Sequence, residues 1–129
     1  MQPDNPFSWI EKGDRDLLLA QDALPKLFSY PDLVCYHCQQ AAEKYLKSLL
    51  LYHGLTVRKT HDLEELIDFL IPFEPSISAD HYNNALKIND YGILMRYPGL
   101  TIDPSEADVL EAIDCAKFFR RFAANRLNF

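Results

Sequence analysis

Apolar residues recur at helical spacing through almost the whole of this chain, and no stretch alternates apolar and polar as a half-buried strand does. That regularity predicts an all-α fold, with five helices over about 8–29, 31–53, 62–71, 79–95 and 104–127. The punctuation agrees. Only 4 glycines are present, and most of the 8 prolines fall between the periodic segments, which suits long elements joined by short turns. At 129 residues the chain reads as one domain, 1–129, large enough to bury a single core.

Local chemistry places the helix ends. Trp9, Leu17, Ala20 and Leu24 face the core from the first helix, which Pro25 kinks or ends. Pro31 suits the first turn of the second helix, where a missing N–H costs nothing, and Gly54 closes it. Laid out at about 100° per residue, the second helix gathers Val34, Cys38, Ala41, Ala42, Tyr45, Leu46 and Leu49 in one apolar sector. His37, Gln40, Glu43, Lys44 and Lys47 fall opposite, with Tyr36 and Leu51 out of place among them. The Glu43–Lys47 pair then reads as a surface i,i+4 pair worth about 0.2–0.5 kcal/mol. Asp62 and Glu65 suggest a capping box for the third helix, which Pro72 stops, and Asp103, Pro104 and Glu106 signal the start of the last.

That last helix carries two apolar stripes. Val109, Ala112, Ile113, Ala116, Phe119 and Ala123 form one; Cys115, Phe118 and Phe122 form another, almost opposite. The second stripe serves either another helix of the same bundle or a subunit interface, and the interface is the favoured expectation.

Thirteen Lys plus Arg against 19 Asp plus Glu give a net charge of −6, which disfavours general binding to a phosphate backbone while leaving room for a local basic site. No apolar run approaches the roughly 20 residues that span a bilayer. MQPDNPFSWIEKGD has neither the basic nor the apolar region of a secretory signal, and three cysteines suit a reducing compartment, so a cytoplasmic protein is expected. Cys35 and Cys38 form a C-x-x-C within a helix, Cys115 is solitary and His37 points away from the pair. Zinc wants four ligands, so buried structural thiols are expected, with no metal and no cofactor. The four histidines show no ligand spacing, and His61 is expected to pack or cap the turn before the third helix.

Two segments carry a more specific signal: CYHCQQAAEKYLKSLLLYHG, followed by KTHDLEEL, and NDYGILMRYPG from Asn89 to Gly99. Their order and spacing resemble the HEPN family from Trp9 to the last helix. The resemblance implies an up-and-down four-helix bundle with an additional short helix, commonly a homodimer. It further implies a small nucleotidyltransferase as partner, in pairs like those of toxins and antitoxins. Ribonucleases of that family carry an Arg and a later His separated by four to six residues, the two meeting across a dimer cleft. Arg96 stands at the arginine position here, but Thr101, Ile102 and Asp103 stand where the histidine would lie, and His81 is the last histidine of the chain. The family's ribonuclease mechanism therefore lacks its imidazole, and a related form with a Tyr two residues after the His has Asp103 in place of that Tyr.

The expectation that follows is an accessory, nucleotide-associated dimeric module and not an enzyme. The alternatives are a metal-independent ribonuclease with a non-standard site, and a purely structural dimerisation module. For a nucleotide or RNA phosphate the candidate residues are Arg96 and Tyr97, with Asp90, Tyr91, Lys44 and Lys47, and with Arg58 and Lys59 as further charge. Arg offers a planar donor fork and Tyr97 a stacking face. The competing reading has Arg96 pairing with Asp90 or a helix end while Tyr97 and Pro98 shape the turn.

Overall fold

The computed structural model describes residues 5–22, 30–94 and 103–129. Among them every regular element is a helix: α1 (Pro6–Asp22), α2 (Pro31–Tyr52), α3 (Leu63–Leu70), α4 (Ala79–Ile88), the single turn α5 (Tyr91–Leu94) and α6 (Glu106–Leu127). The expected all-α bundle is what forms. Helix α2 runs through its middle, packed mainly on α1 and α6 and also touching α3, α4 and α5. Tyr45, Leu46, Leu49, Leu50, Leu66, Ile67 and Phe119 are fully buried around it.

The ends of α2 follow from local chemistry. Pro31 occupies its first turn. At the other end Gly54 sits at φ 74°, its N–H donates to the Leu51 carbonyl, and the Leu55 N–H reaches back to Leu50 at 2.9 Å. This is the left-handed termination that glycine adopts without a Cβ penalty. Helix α1 packs so closely on α2 that a Cβ on Gly13 would stand 2.8 Å from the Tyr45 ring. Beside that contact Asp14 accepts from the Tyr45 hydroxyl at 2.6 Å and from Arg120 Nε at 2.9 Å, tying α1, α2 and α6 together.

Several local expectations are corrected. Helix α1 is described to Asp22; Leu24 and Pro25 lie outside the described residues. Asp62 does cap α3, accepting from the Glu64 and Glu65 N–H groups, but Glu65 accepts from the Thr60 hydroxyl and does not complete a capping box. The last helix is capped by Ser105, whose reciprocal partner is Asp108, so α6 begins two residues beyond the expected Pro104. The fourth helix breaks after Ile88: Asn89 uses its side chain to accept from Leu63 N–H and donate to Asp62, fastening the end of α4 to the start of α3.

The second stripe of α6 is covered from within. Cys115 and Phe122 are buried, Phe118 packs against the core, and His81 of α4 lies edge-on to both rings, 5.0 Å from Phe118 and 4.6 Å from Phe122. Helix α4 is the element that the stripe serves, so these phenylalanines are not a surplus face awaiting a second subunit.

His81 also caps its own helix: its Nδ1 accepts the Ser78 N–H at 3.0 Å. Burial holds this imidazole below its ordinary value, against the pull of the Asp80 and Glu74 carboxylates. A folded-state value below the unfolded one means stability is complete above the unfolded imidazole value and declines as pH falls through the folded one. Acidification below about pH 6.5 is therefore expected to weaken the wild type more than His81→Gln, which keeps an acceptor and cannot titrate there. Urea titrations of both proteins at pH 7.5 and 5.5 check this; equal losses would dismiss it.

Candidate functional site

The polar residues of α2 do not face solvent. Gln39, Glu43 and Lys47 recur every four residues, which places them in one row along the helix, and that row is covered: Gln39 is 0%, Glu43 4% and Lys47 5% exposed. The surface-pair expectation for Glu43–Lys47 is thus overturned. The physical reason is the central position of α2, which has neighbours on all sides along its middle. Tyr36 and Leu51, which looked misplaced on a polar face, are half-buried as well.

Burial forces each member of the row to find a partner. Glu43 takes two. Its Oε2 accepts from Lys47 Nζ at 3.1 Å, and its Oε1 lies 2.8 Å from His61 Nδ1. Lys47 lies 5.7 Å from the Trp9 ring centroid, on the cation-attracting face of the indole. Gln39 donates from Nε2 to the His61 carbonyl at 3.0 Å and accepts from Gln40 Nε2 at 2.8 Å. His61 is therefore held twice, by its backbone and by its ring. The expectation that it packs or caps a turn missed the carboxylate behind it.

The two sequence segments that carry the resemblance meet here. Gly92 of α5 lies against Gln39 so tightly that a Cβ would come within 2.5 Å of the Gln39 Cδ. Asn89 joins the same junction through Asp62 and Leu63. The spacing of Q-Q-A-A-E-K, H-D-L and N-D-Y-G is thus accounted for by one junction between α2, the start of α3 and α5.

The proposed anion-binding residues fare differently. Lys44 is paired with Asp16, which also lies 2.9 Å from His37 Nδ1, and Lys47 is committed to Glu43. Neither lysine presents a free ammonium to a phosphate. Burial alone would raise the Asp16 carboxyl, but the hydrogen bonds of His37 and Lys44 outweigh it and hold the group below its ordinary value. Tyr91 is half-buried against the core, and Asp90 is exposed. Arg96 and Tyr97, with Pro98, lie outside the described residues.

The cysteines behave as expected of packing residues. All three are buried and free, and burial pushes the Cys35 and Cys115 thiols up to about 11 and Cys38 higher still. Thiols so displaced are neither thiolate nucleophiles nor ready ligands near neutral pH. Among the described residues no cluster of His, Cys, Asp and Glu has the makings of a metal site, and no helix is long and apolar enough to cross a membrane.

Comparison with curated proteins gave no match. Among solved structures, the crystal structure of an archaeal HEPN homologue superposes with a TM-score of 0.75 at 26% identity, covering 98% of each chain. The family model described as the HEPN domain matches residues 8–127. With nearly its whole length matched by that model, and with the motif segments gathered at one junction, the chain belongs to the HEPN domain family.

Proposed function

We propose that this chain is an accessory HEPN module of the cytoplasm, a symmetric homodimer that works beside a small nucleotidyltransferase and associates with nucleotide or RNA. The observation that carries the reading is in the sequence: Arg96 keeps the family's arginine position while no histidine follows it through Phe129. A two-subunit Arg–His cleft has no imidazole to use, so the arginine is left for binding, where its donor fork suits a phosphate. Membership of a family whose members commonly pair and commonly accompany nucleotidyltransferases supports the assembly.

The α6 stripe no longer argues for a dimer, since α4 covers it. A different patch does. Leu19 at the end of α1 and Tyr30 and Leu33 at the start of α2 are exposed around an apolar hollow of about 200 Å³, and apolar surface of that kind suits a second copy. Sedimentation equilibrium at micromolar concentration is expected to give about twice the 14.9 kDa chain mass. A stable monomer ends the dimer reading. Calorimetric titration with ATP and GTP checks the nucleotide, and silence at millimolar ligand ends that part.

A further inference from the structure

Between Gly54, where α2 has ended, and Leu63, where α3 begins, the chain runs as an irregular segment that carries Arg58 and Lys59. A hollow of about 290 Å³ opens where that segment meets the end of α3, lined by Leu50, Gly54, Leu55, Thr56, Arg58 and Phe69. Its floor is apolar: Leu50 is fully buried, and Leu55 and Phe69 pack against the core. Its rim is polar. Thr56 and Arg58 are exposed, and among the described residues neither side chain has a hydrogen-bond or ion-pair partner. A Cβ on Gly54 would meet nothing within 4 Å, so the wall on that side is open.

Arg58 is placed without being neutralised. Its guanidinium lies 4.4 Å from the Phe69 ring centroid, an attraction that positions the group and leaves its N–H donors unclaimed. Nearby carboxylates are engaged elsewhere: Asp62 caps α3, Glu65 accepts from the Thr60 hydroxyl and Asp68 from the Tyr82 hydroxyl. Lys59, next in the chain, is exposed and also without an ion pair among the described residues. Opposing these cations are two helix ends. Gly54 lies just past the last turn of α2 and Phe69 in the last turn of α3, and each such end carries about half a negative charge. Two cations against two half-charges leave about one positive charge, the complement of a monoanion and not of a polyphosphate.

We propose that this hollow is a binding site for a small monocarboxylate with a short apolar tail. The carboxylate takes the planar donor fork of Arg58, which matches its two oxygens, and the Thr56 hydroxyl donates from the rim. The tail lies on Leu50, Leu55 and Phe69, where it leaves water. Neither half of the site suffices alone: one exposed arginine holds a bare anion weakly, and a hollow this size gives an uncharged chain little area to bury. The site is built from the end of α2, the segment after it and α3. It stands or falls separately from the dimer, the nucleotidyltransferase and any nucleotide.

Hexanoate is the probe, titrated into the full chain labelled with nitrogen-15 while backbone amide shifts are followed. Saturable shifts are expected at Gly54, Leu55, Thr56, Arg58 and Phe69, with a dissociation constant of about 1 mM or tighter, the scale a ligand this small reaches in an open hollow. Acetate lacks the tail, hexanol lacks the charge and ATP carries too much of it; each is expected to bind these residues about tenfold more weakly or not at all. Arg58→Gln, at an exposed position and with its fold checked by circular dichroism, is expected to weaken hexanoate about tenfold or more. Arg58→Lys keeps a charge for the helix ends but loses the fork, and is expected to weaken it several-fold. An arginine that only balances those helix ends would give no saturable shift in the wild type and a loss of stability in Arg58→Gln. The proposal is overturned by that result, by folded Arg58→Gln binding hexanoate as the wild type does, or by acetate, hexanol or ATP matching hexanoate at these amides.

Discussion

Lys47→Met is expected to destabilise the protein by about 3–5 kcal/mol, the usual cost of leaving one member of a buried ion pair without its partner. Methionine fills nearly the volume of the lysine stem and keeps contact with Trp9, so packing loss is small and the effect reports the charge. Glu43, 4% exposed, would retain only His61 as a partner. For a chain of this length the drop corresponds to roughly 10–20 °C in melting temperature, and urea titration gives the free energy directly. The double variant Glu43→Gln/Lys47→Met, which leaves no unpaired charge, is expected to recover much of the loss, because a buried ion pair as a whole contributes little beyond its neutral replacement. A loss of only a few tenths of a kcal/mol in Lys47→Met would instead restore the surface-pair reading.

The contrast between those two readings shows where the sequence is and is not legible. The start and stop of α2 follow from Pro31 and Gly54, because proline at a first turn and glycine past a last one act through their own backbones. The core row of Val34, Cys38, Ala41, Ala42, Tyr45, Leu46 and Leu49 is equally local, a matter of period, and all seven are buried. The burial of Glu43 is not local. It depends on α1, α5 and the segment before α3 closing around a face that reads polar, and no periodicity within α2 contains that. One signal does: Tyr36 and Leu51 interrupt the polar face, as happens on a helix enclosed on every side.

The same limit governs α6 and the site. Two apolar stripes on that helix were visible as a pattern, but whether α4 or another subunit covers Phe118 and Phe122 is settled only by where α4 packs. Its cap was misplaced because two overlapping frames, Asp103 with Glu106 and Ser105 with Asp108, both satisfy the local rule, and the chain adopts the second. For the site, the sequence shows Glu43 and Lys47 as a pair, with His61 apart from them. The separation of 18 positions between Glu43 and His61 hides their pairing, since contact across a loop leaves no spacing rule to read. Asp90, Tyr91, Lys44 and Lys47 were grouped with Arg96 and Tyr97 by charge and aromaticity, and in the fold both lysines are already paired.

Gly92→Ala is the sharpest way to ask whether the junction of the two family segments is as tight as its geometry. The added methyl would stand 2.5 Å from Cδ and Oε1 of Gln39, closer than any real Cβ contact, and Gln39 has little freedom to yield. That side chain is 0% exposed, donates to the His61 carbonyl and accepts from Gln40. Overpacking of this kind costs about 1–3 kcal/mol, and if Gln39 is driven off its partners, a buried amide without hydrogen bonds adds about 1–3 kcal/mol more. A loss of about 2–5 kcal/mol is therefore expected for Gly92→Ala, far above the effect of alanine at an ordinary exposed helical glycine, where the change is favourable by about 1 kcal/mol. The double variant Gly92→Ala/Gln39→Ala separates steric conflict from any general dislike of α5 for a side chain. Removing the amide makes room for the methyl, so the two substitutions together are expected to cost less than the sum of each alone, with a coupling of about 1 kcal/mol or more. Strict additivity in the urea midpoints would show that Gly92 and Gln39 do not press on one another, and would remove the contact that brings the two segments together.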